Sequence, residues 1–262
     1  MSRIEEKFKE LKGRGEGALI GYLTLGDPDV ESSEKLIKCL CKNVDILELG
    51  VPFTDPIADG PTIQAAIERS LASGMNTDIA FEMVERLRKD VDTPFVFMTY
   101  YNIVLQYGEE KFVKKCAEVG VDGILISDLP IEEAGSVLEH CKNNNVDFIF
   151  LIAPTTTEER MKQIAEHAMG FVYLVALLGV TGARDTLQDE TVNNTKRALK
   201  HIELPLAVGF GISKREHARA VIDAGANGVV VGSAFVNLVA RRGAAACPEL
   251  VRLSVELKEG TR

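Results

Sequence analysis

Eight short apolar runs, rich in β-branched residues, alternate with amphipathic stretches along nearly the whole chain. This alternation is typical of a parallel sheet whose strands are joined by crossover helices. Each gap between runs has room for one helix, and the long gap after the second run has room for two. The count favours an α/β fold of the (β/α)₈ TIM-barrel type. The runs begin near Ala18, Asp45, Phe95, Gly123, Asp147, Phe171, Pro205 and Gly228.

Between the runs, apolar residues recur three and four positions apart, as at Leu36, Ile37 and Leu40, which predicts helices with one face on the sheet. Thr156 and Glu159 have the spacing of a capping box at a helix start. Residues 4–12 predict an extra N-terminal helix that is placed to close the barrel bottom. No Pro- or Ser-rich linker interrupts the series, so we expect one barrel domain over residues 1–262, with that N-terminal helix and an additional helix after strand 2.

A weak internal repeat marks three junctions between a helix and a strand. Residues 43–47 (NVDIL), 120–124 (GVDGI) and 225–229 (GANGV) each place an Asp, Asn or Gly turn before an apolar run. The rival fold, a doubly wound open sheet, would normally carry a Gly-x-Gly-x-x-Gly turn after its first strand if it bound a dinucleotide. Residues 24–28 (TLGDP) occupy that turn here, and the fingerprint is absent.

The net charge restricts the classes of partner. Thirty Lys and Arg against thirty-nine Asp and Glu give a formal charge of −9, which argues against nucleic acid and anionic membrane surfaces as bulk partners. No apolar run approaches the length of about eighteen residues that a membrane span needs, and no secretory h-region opens the sequence. We therefore expect a cytoplasmic protein, and any phosphate ligand would need a local site.

Cysteine and histidine usage gives no sign of a metal site. The five cysteines lack Cys-x-x-Cys spacing and mostly fall on the apolar side of helical patterns, so we expect reduced core residues rather than disulfides or metal ligands. The four histidines fall in predicted helices or at their ends, and no metal is assigned. These residues are Cys39, Cys41, Cys116, Cys141, Cys247, His140, His167, His201 and His217.

Glu48 is the first candidate catalytic residue, because the active site of such a barrel lies at the carboxyl ends of its strands. Strand alternation puts Glu48 on the face of Ile46, opposite Leu47 and Leu49, and so points it into the barrel near its mouth. A carboxylate there needs a raised pKa or a partner, and raised carboxyl groups serve as acid/base groups. A structural ion pair is the alternative.

The loop that follows, residues 51–61 (VPFTDPIADGP), holds Asp55 and Asp59. An Asp in a loop rich in Pro and Gly is ordinarily a turn former. Beside an inward Glu at the barrel mouth, the two acids become candidates for catalysis.

Glycines after the last strands predict a phosphate cradle. Residues 209–213 (GFGIS) follow strand 7 and residues 232–234 (GSA) follow strand 8, the position at which barrels of this type bind phosphate through backbone N–H groups. Residues 179–184 (GVTGAR) follow strand 6 and suit a hinged lid, or else a surface loop without a role.

Residues 47–64 (LELGVPFTDPIADGPTIQ) resemble the signature of the tryptophan synthase alpha chain family. Further matches run from the first strand to the last, at residues 22–28 (YLTLGDP), 100–102 (YYN), 128–130 (DLP), 179–182 (GVTG) and 209–212 (GFGI). That family cleaves indole-3-glycerol phosphate to indole and glyceraldehyde 3-phosphate, a retro-aldol lyase reaction of tryptophan biosynthesis. The resemblance implies that Glu48 is the general acid/base that protonates indole C3, and that Asp59 accepts a hydrogen bond from the indole N–H.

The resemblance also implies the remaining site residues and the partner. Tyr173 is expected near Glu48 and the substrate, and Thr181 in the closing loop. The partner is a beta chain that carries pyridoxal phosphate and receives indole within an alpha2beta2 complex, with Asp55 facing it; this chain itself is expected to need no cofactor and no metal. The indole pocket is expected to be lined by Tyr22, Tyr100, Ser127 and Leu151, and the phosphate to meet N–H groups at Gly182, Gly211, Gly232 and Ser233.

Two other function classes are open at this point. A non-catalytic regulatory subunit would bind a phosphorylated ligand and activate a partner, although the Glu48 and Asp59 pair argues against it. A different phosphate-binding barrel, such as an isomerase or the preceding synthase of the indole pathway, would want a lysine or a second acid at other strand ends, and no lysine follows a predicted strand.

Overall fold

The eight predicted strands form a closed parallel barrel in the computed structural model, which describes residues 1–175, 184–209 and 211–262 and omits the side chains of residues 184–189. Strand order follows the sequence, and the eighth strand pairs in parallel with the first. This confirms the (β/α)₈ barrel over the open sheet. The strands are β1 (Ala18–Thr24), β2 (Ile46–Gly50), β3 (Phe95–Thr99), β4 (Gly123–Ile126), β5 (Asp147–Ile152), β6 (Val172–Val175), β7 (Leu206–Gly209) and β8 (Gly228–Val231).

Helices cover the outside of the barrel, and both predicted additions are present: one before β1 and a second helix in the gap between β2 and β3. The helices are α1 (Arg3–Arg14), α2 (Val30–Leu40), α3 (Pro61–Ala72), α4 (Thr77–Leu87), α5 (Tyr101–Tyr107), α6 (Glu109–Val119), α7 (Gly135–Asn144), α8 (Glu158–His167), α9 (Arg184–Ala198), α10 (Arg215–Asp223), α11 (Ser233–Arg242) and α12 (Cys247–Gly260), with a 3₁₀ turn at Gly243–Ala245. No helix in the described ranges is long and apolar enough to cross a bilayer.

Helix α1 closes the bottom of the barrel. Ser2 and Glu5 form a capping box at its start, and the buried side chains of Ile4, Phe8 and Leu11 enter the apolar cluster inside the strands. Because apolar side chains fill this end, polar chemistry is confined to the opposite end. The other buried residues of that cluster are Phe171, directly before β6, and the strand residues Ala18, Ile20, Ile46, Val96, Leu125, Ile149, Ala207 and Val230.

The repeated junction motif has a structural role at the strand starts. Asp45 Oδ2 accepts the backbone N–H of Leu19 at 2.7 Å, and Asp122 Oδ2 accepts that of Phe95 at 2.8 Å. In the third copy, Asn227 Oδ1 accepts the N–H of Leu206 at 2.9 Å. Each side chain therefore pairs a backbone donor at the start of the neighbouring strand, which would otherwise be buried without an acceptor.

The prediction that all cysteines are reduced core residues is wrong for two of them. Cys39 of α2 and Cys247 of α12 form a disulfide with a Cα–Cα distance of 5.8 Å, within the range that a disulfide can bridge. The free cysteines are Cys41, which is partly buried, and Cys116 and Cys141, which are fully buried. The correction comes from tertiary structure, because α2 and α12 become neighbours only when β8 closes on β1.

Candidate active site

Glu48 lies inside the barrel near the carboxyl end of β2, as strand alternation predicts. Its side chain is 1% exposed, and Leu47 and Leu49 point to the helices. Among the described residues no hydrogen-bond partner is present for Glu48 Oε1. Burial alone raises the pKa of Glu48 to about 8, because a low-dielectric surrounding disfavours the ionised form. The alternative of a structural ion pair finds no support in these contacts.

Asp59 is held at the end of the β2–α3 loop by Tyr100. The Tyr100 hydroxyl donates to Asp59 Oδ2 at 2.6 Å and accepts the backbone N–H of Ala58 at 3.1 Å. Gln64 Nε2 donates to the Asp59 carbonyl oxygen at 2.8 Å. Burial raises the pKa of Asp59, and the Tyr100 hydrogen bond acts in the opposite direction. Asp59 is therefore fixed at its backbone and at one carboxylate oxygen.

Two tyrosines on inward strand positions flank the glutamate. Tyr22 is paired in register with Glu48 across β1 and β2, and its hydroxyl lies 3.2 Å from Thr24 Oγ1. A Cβ at Gly50 would overlap the Tyr22 hydroxyl, and a Cβ at Gly209 would overlap that of Tyr173. Burial raises the pKa of both tyrosines, with the Glu48 charge adding to the effect. These two glycines thus make room for neutral aromatic rings beside the buried acid.

One cavity of about 320 Å³ brings the two carboxylates together at the barrel mouth. Tyr100 does not line the cavity, but it is hydrogen-bonded to Asp59, which does. Asp55 is exposed on the same loop and lies outside the cavity. Residues 179–183 of the proposed lid, which include Thr181 and Gly182, lie outside the described residues. The sequence-predicted residues that line the cavity are Tyr22, Glu48, Asp59, Ser127, Leu151, Tyr173, Gly211, Gly232 and Ser233.

One wall of the cavity is suited to an anion. Helix α11 begins at Ser233, with Gly232 as its N-cap and no side chain capping its first turn. Gly211 adopts a positive φ of 73°, a conformation that L-residues with a side chain rarely take. First-turn N–H groups of a helix carry partial positive charge, so this wall can bind a phosphate without a lysine.

Sequence reasoning missed several residues that line the cavity. Ile63 and Thr62 come from the first turn of α3, and Met98 and Val230 come from β3 and β8. Val230 could have been predicted from the sequence, because it lies on the same inward face of the strand as Gly228 and Gly232 by alternation. No sequence pattern predicts that the α3 residues line the cavity, since their position depends on how the loop after β2 turns back over the barrel mouth.

The arrangement combines a buried acid, a fixed carboxylate and an anion-binding wall around an apolar space. A carboxyl group with a pKa near 8 is protonated at neutral pH and can donate and retrieve a proton. A second carboxyl group that lines the same cavity can, when ionised, stabilise positive charge that develops on a bound ring. No cluster of His, Cys, Asp and Glu suited to a metal ion occurs within the described part of the chain.

Comparison with known proteins identifies the family of this chain. The family model of the tryptophan synthase alpha chain matches residues 8–261. The tryptophan synthase alpha chain of Methanocaldococcus jannaschii is 52% identical over 90% of this chain and 84% of its own length. The crystal structure of the tryptophan synthase alpha subunit from Legionella pneumophila superposes with a TM-score of 0.92 at 36% identity, covering 100% of this chain and 98% of that one.

A structure of the tryptophan synthase a2b2 complex from the hyperthermophile Pyrococcus furiosus contains a similar chain. It superposes with a TM-score of 0.89 at 42% identity and covers 93% of this chain and 98% of that one. The matches extend over nearly the full length and include the barrel strands that carry Glu48 and the glycine wall. The chain therefore belongs to the tryptophan synthase alpha chain family.

Proposed function

We propose that this chain cleaves indole-3-glycerol phosphate to indole and glyceraldehyde 3-phosphate, with Glu48 and Asp59 as its catalytic residues. The observation that carries the proposal is the buried Glu48, whose raised pKa keeps it protonated in a cavity that it shares with Asp59. The family's reaction needs a proton donor at an apolar ring and a carboxylate opposite the ring nitrogen. Both groups are available in one apolar space of suitable size.

The proposed reaction proceeds in two proton transfers. Glu48 first donates a proton to indole C3, which converts the ring to a cationic indolenine. Asp59 accepts a hydrogen bond from the ring N–H and stabilises the positive charge that develops there. The ionised Glu48 then takes the proton of the glycerol hydroxyl next to the ring, the bond between C3 and the glycerol carbon breaks, and its electrons return to the ring. The products are neutral indole and an aldehyde, and Glu48 is again protonated.

The phosphate is proposed to bind at the wall opposite the acids, on backbone N–H groups near Gly211, Gly232 and Ser233. Thr181 and Gly182 are proposed to complete the site from the loop after β6. Tyr22, Ser127, Leu151 and Tyr173 are proposed to contact the indole ring, and Tyr100 to act beside it through Asp59. Binding the anion at a fixed distance from Glu48 would place C3 against the acid, and such positioning contributes substantially to rate.

Two carboxyl groups supply the chemistry, so we propose that this chain needs no cofactor of its own. We further infer a cytoplasmic enzyme that pairs with a pyridoxal-phosphate beta chain in an alpha2beta2 complex. Asp55 is exposed on the loop above the cavity, and Ile57 beside it is 83% exposed. An exposed apolar side chain next to the mouth is consistent with a partner surface that receives indole.

Incubation of the purified chain with indole-3-glycerol phosphate, with and without a beta chain, tests the proposal. We expect equal amounts of indole and glyceraldehyde 3-phosphate. Ligand binding without indole release under both conditions would instead indicate the regulatory subunit. Conversion of the substrate without carbon–carbon cleavage would indicate a different phosphate-binding barrel.

A further inference from the structure

The C-terminal half of α3 is fastened to the loop that follows β1. The Arg69 guanidinium makes two hydrogen bonds to the carboxylate of Asp27, from Nε to Oδ1 at 2.7 Å and from Nη2 to Oδ2 at 2.9 Å. Ser70 Oγ donates to the carbonyl oxygen of Leu25, and Ser73 Oγ donates to that of Gly26 at 3.1 Å. Two residues in the last turn of α3 and its C-cap residue therefore bind one short loop.

The ion pair is the strongest part of this attachment. Asp27 is 4% exposed, and two parallel charge-assisted hydrogen bonds from one arginine are stronger than hydrogen bonds between neutral groups. The surrounding contacts are close: a Cβ at Gly26 would lie 2.7 Å from Met75 Cβ, and Gly26 has a φ of +80°. Removing Arg69 would leave a buried carboxylate without this partner, which strongly disfavours the present packing.

The other end of α3 controls the position of Asp59. Helix α3 begins at Pro61, directly after its N-cap Gly60. The position of the helix start therefore restricts the position of Asp59, which precedes Gly60. Gln64 on the first turn binds the Asp59 carbonyl oxygen at 2.8 Å, and Ile63 on that turn lines the cavity. A helix moves as a rigid element, so a shift at Arg69 would be carried along α3 to the loop that holds Asp59.

We propose that Arg69 and Asp27 form a positioning pair that holds α3, and through it the carboxylate of Asp59, at the mouth of the barrel. The inference rests on the role of Asp59 in the proposed function. Neither residue lines the cavity, so neither is expected to touch the substrate. Their effect is on the alignment of Asp59 with the indole nitrogen.

The test uses the full chain with Arg69→Met and two measurements. Misplacement of a catalytic group by about 1 Å can cost up to roughly 100-fold in rate, so we expect kcat to fall about 10- to 100-fold. KM should change much less, because the anion-binding wall belongs to β7, β8 and α11. The second measurement is the proton chemical shift of the indole N–H in a bound, unreactive indolylalkyl phosphate, which should move toward the value found in Asp59→Asn.

Arg86→Met is the matched control. Arg86 of α4 pairs with Glu34 of α2 at 2.9 Å on the outside of the barrel, so its loss should leave both kcat and the N–H shift unchanged. Arg69→Lys, which keeps the charge but not the two-pronged geometry, should fall between wild type and Arg69→Met. If Arg69→Met does not fold, Arg69→Lys is the variant that tests the proposal. Wild-type values of kcat and of the N–H chemical shift in Arg69→Lys would overturn it.

A folded Arg69→Met with normal kcat would also overturn it, as would a reduced kcat with an unchanged N–H shift. The second of these would assign Arg69 to general stability alone. If the wild-type chain releases no indole, the proposed function fails. The N–H shift then still reports whether Arg69 positions Asp59 against a bound indole ring.

Discussion

A carboxyl group that is almost completely buried is the dominant electrostatic feature of this molecule at the scale of single residues. Glu48 is surrounded by tyrosine rings and apolar side chains, and its pKa is raised to about 8 by burial. Ionising it inside the barrel is unfavourable, which is the property that an acid needs in order to give up a proton only to a suitably placed acceptor. Asp59 is less buried and is hydrogen-bonded by Tyr100, and in the proposed reaction it accepts the hydrogen bond of the indole N–H.

The pH dependence of turnover should report the titration of Glu48. Above pH 8 the glutamate loses its proton in the free enzyme and cannot protonate indole C3, so kcat/KM should fall on the alkaline side with an apparent pKa near 8. A pH–rate profile with indole-3-glycerol phosphate measures this. A value of kcat/KM that stays constant to pH 9.5 would contradict the assignment.

The same raised pKa predicts a pH-dependent effect of Glu48→Gln on stability. The pKa of Glu48 is about 8 in the folded chain against 4.5 for the ordinary side chain. A pKa raised by folding contributes stability that is fully present below pH 4.5 and is lost progressively as the pH rises to about 8. Glutamine does not titrate, so the melting temperature of Glu48→Gln relative to wild type should increase between pH 5 and pH 8. A difference that does not change with pH would count against a buried, shifted Glu48.

Tyr100→Phe should separate the role of the hydroxyl from that of the ring. The variant loses the bonds to Asp59 Oδ2 and to the Ala58 N–H while keeping the aromatic packing with Phe53. We expect kcat/KM to fall by roughly 10- to 100-fold, as loss of a positioning contact does, with little change in melting temperature. Tyr101→Phe is the control, since its hydroxyl binds Glu109. Equal activity in the two variants would show that Tyr100 does not position Asp59.

At the scale of elements, helices α1 and α12 stabilise the lower end of the barrel. Helix α1 inserts apolar side chains into the bottom of the barrel, and α12 is joined to α2 by the Cys39–Cys247 disulfide. Lys258 of α12 also reaches Asp45 at 2.8 Å and Glu16 at 3.2 Å, beside the starts of β1 and β2. Both helices are thus attached at the end of the barrel that lies opposite the Glu48 cavity.

Cys39→Ala should lower stability only under oxidising conditions. The disulfide closes a loop across a sequence separation of 208 residues, and loops of this kind commonly contribute roughly 2–5 kcal/mol by restricting the unfolded chain. Denaturant unfolding with and without a thiol reductant measures the effect. Wild type should lose that stability on reduction, whereas Cys41→Ala, which changes a free cysteine on the same segment, should keep the reductant-dependent difference. Identical unfolding of wild type in both conditions would argue against the bond.

At the scale of the whole molecule, the parts governed by periodicity were predictable from the sequence. Strand number, strand order and the inward face of Glu48 follow from patterns that repeat along the chain. Element boundaries differ by a residue or so from the pattern: the structure starts β2 at Ile46, whereas the apolar run begins near Asp45. Helix α8 is capped by Thr157 rather than Thr156, whose hydroxyl instead accepts the N–H of Ala153.

Contacts between distant segments were not predictable. The Cys39–Cys247 bond, the Tyr100–Asp59 hydrogen bond and the Arg69–Asp27 pair each join segments that only the closed barrel brings together. A helical pattern shows that a cysteine or a tyrosine faces inward, but not which side chain it meets there. The resemblance at residues 47–64 supplied the candidate roles, and the structure supplied the burial of Glu48, the contacts of Asp59 and the cavity that the two residues share.

Indole release by Glu48→Gln and by wild type, measured side by side, tests the central claim most directly. Binding of an unreactive indolylalkyl phosphate to both proteins serves as the check that the cavity is intact. The account predicts comparable binding and a loss of turnover of at least roughly 10²- to 10⁴-fold in the variant. Turnover by Glu48→Gln within tenfold of wild type would contradict it, because no other described group in the cavity combines burial with a proton available near neutral pH.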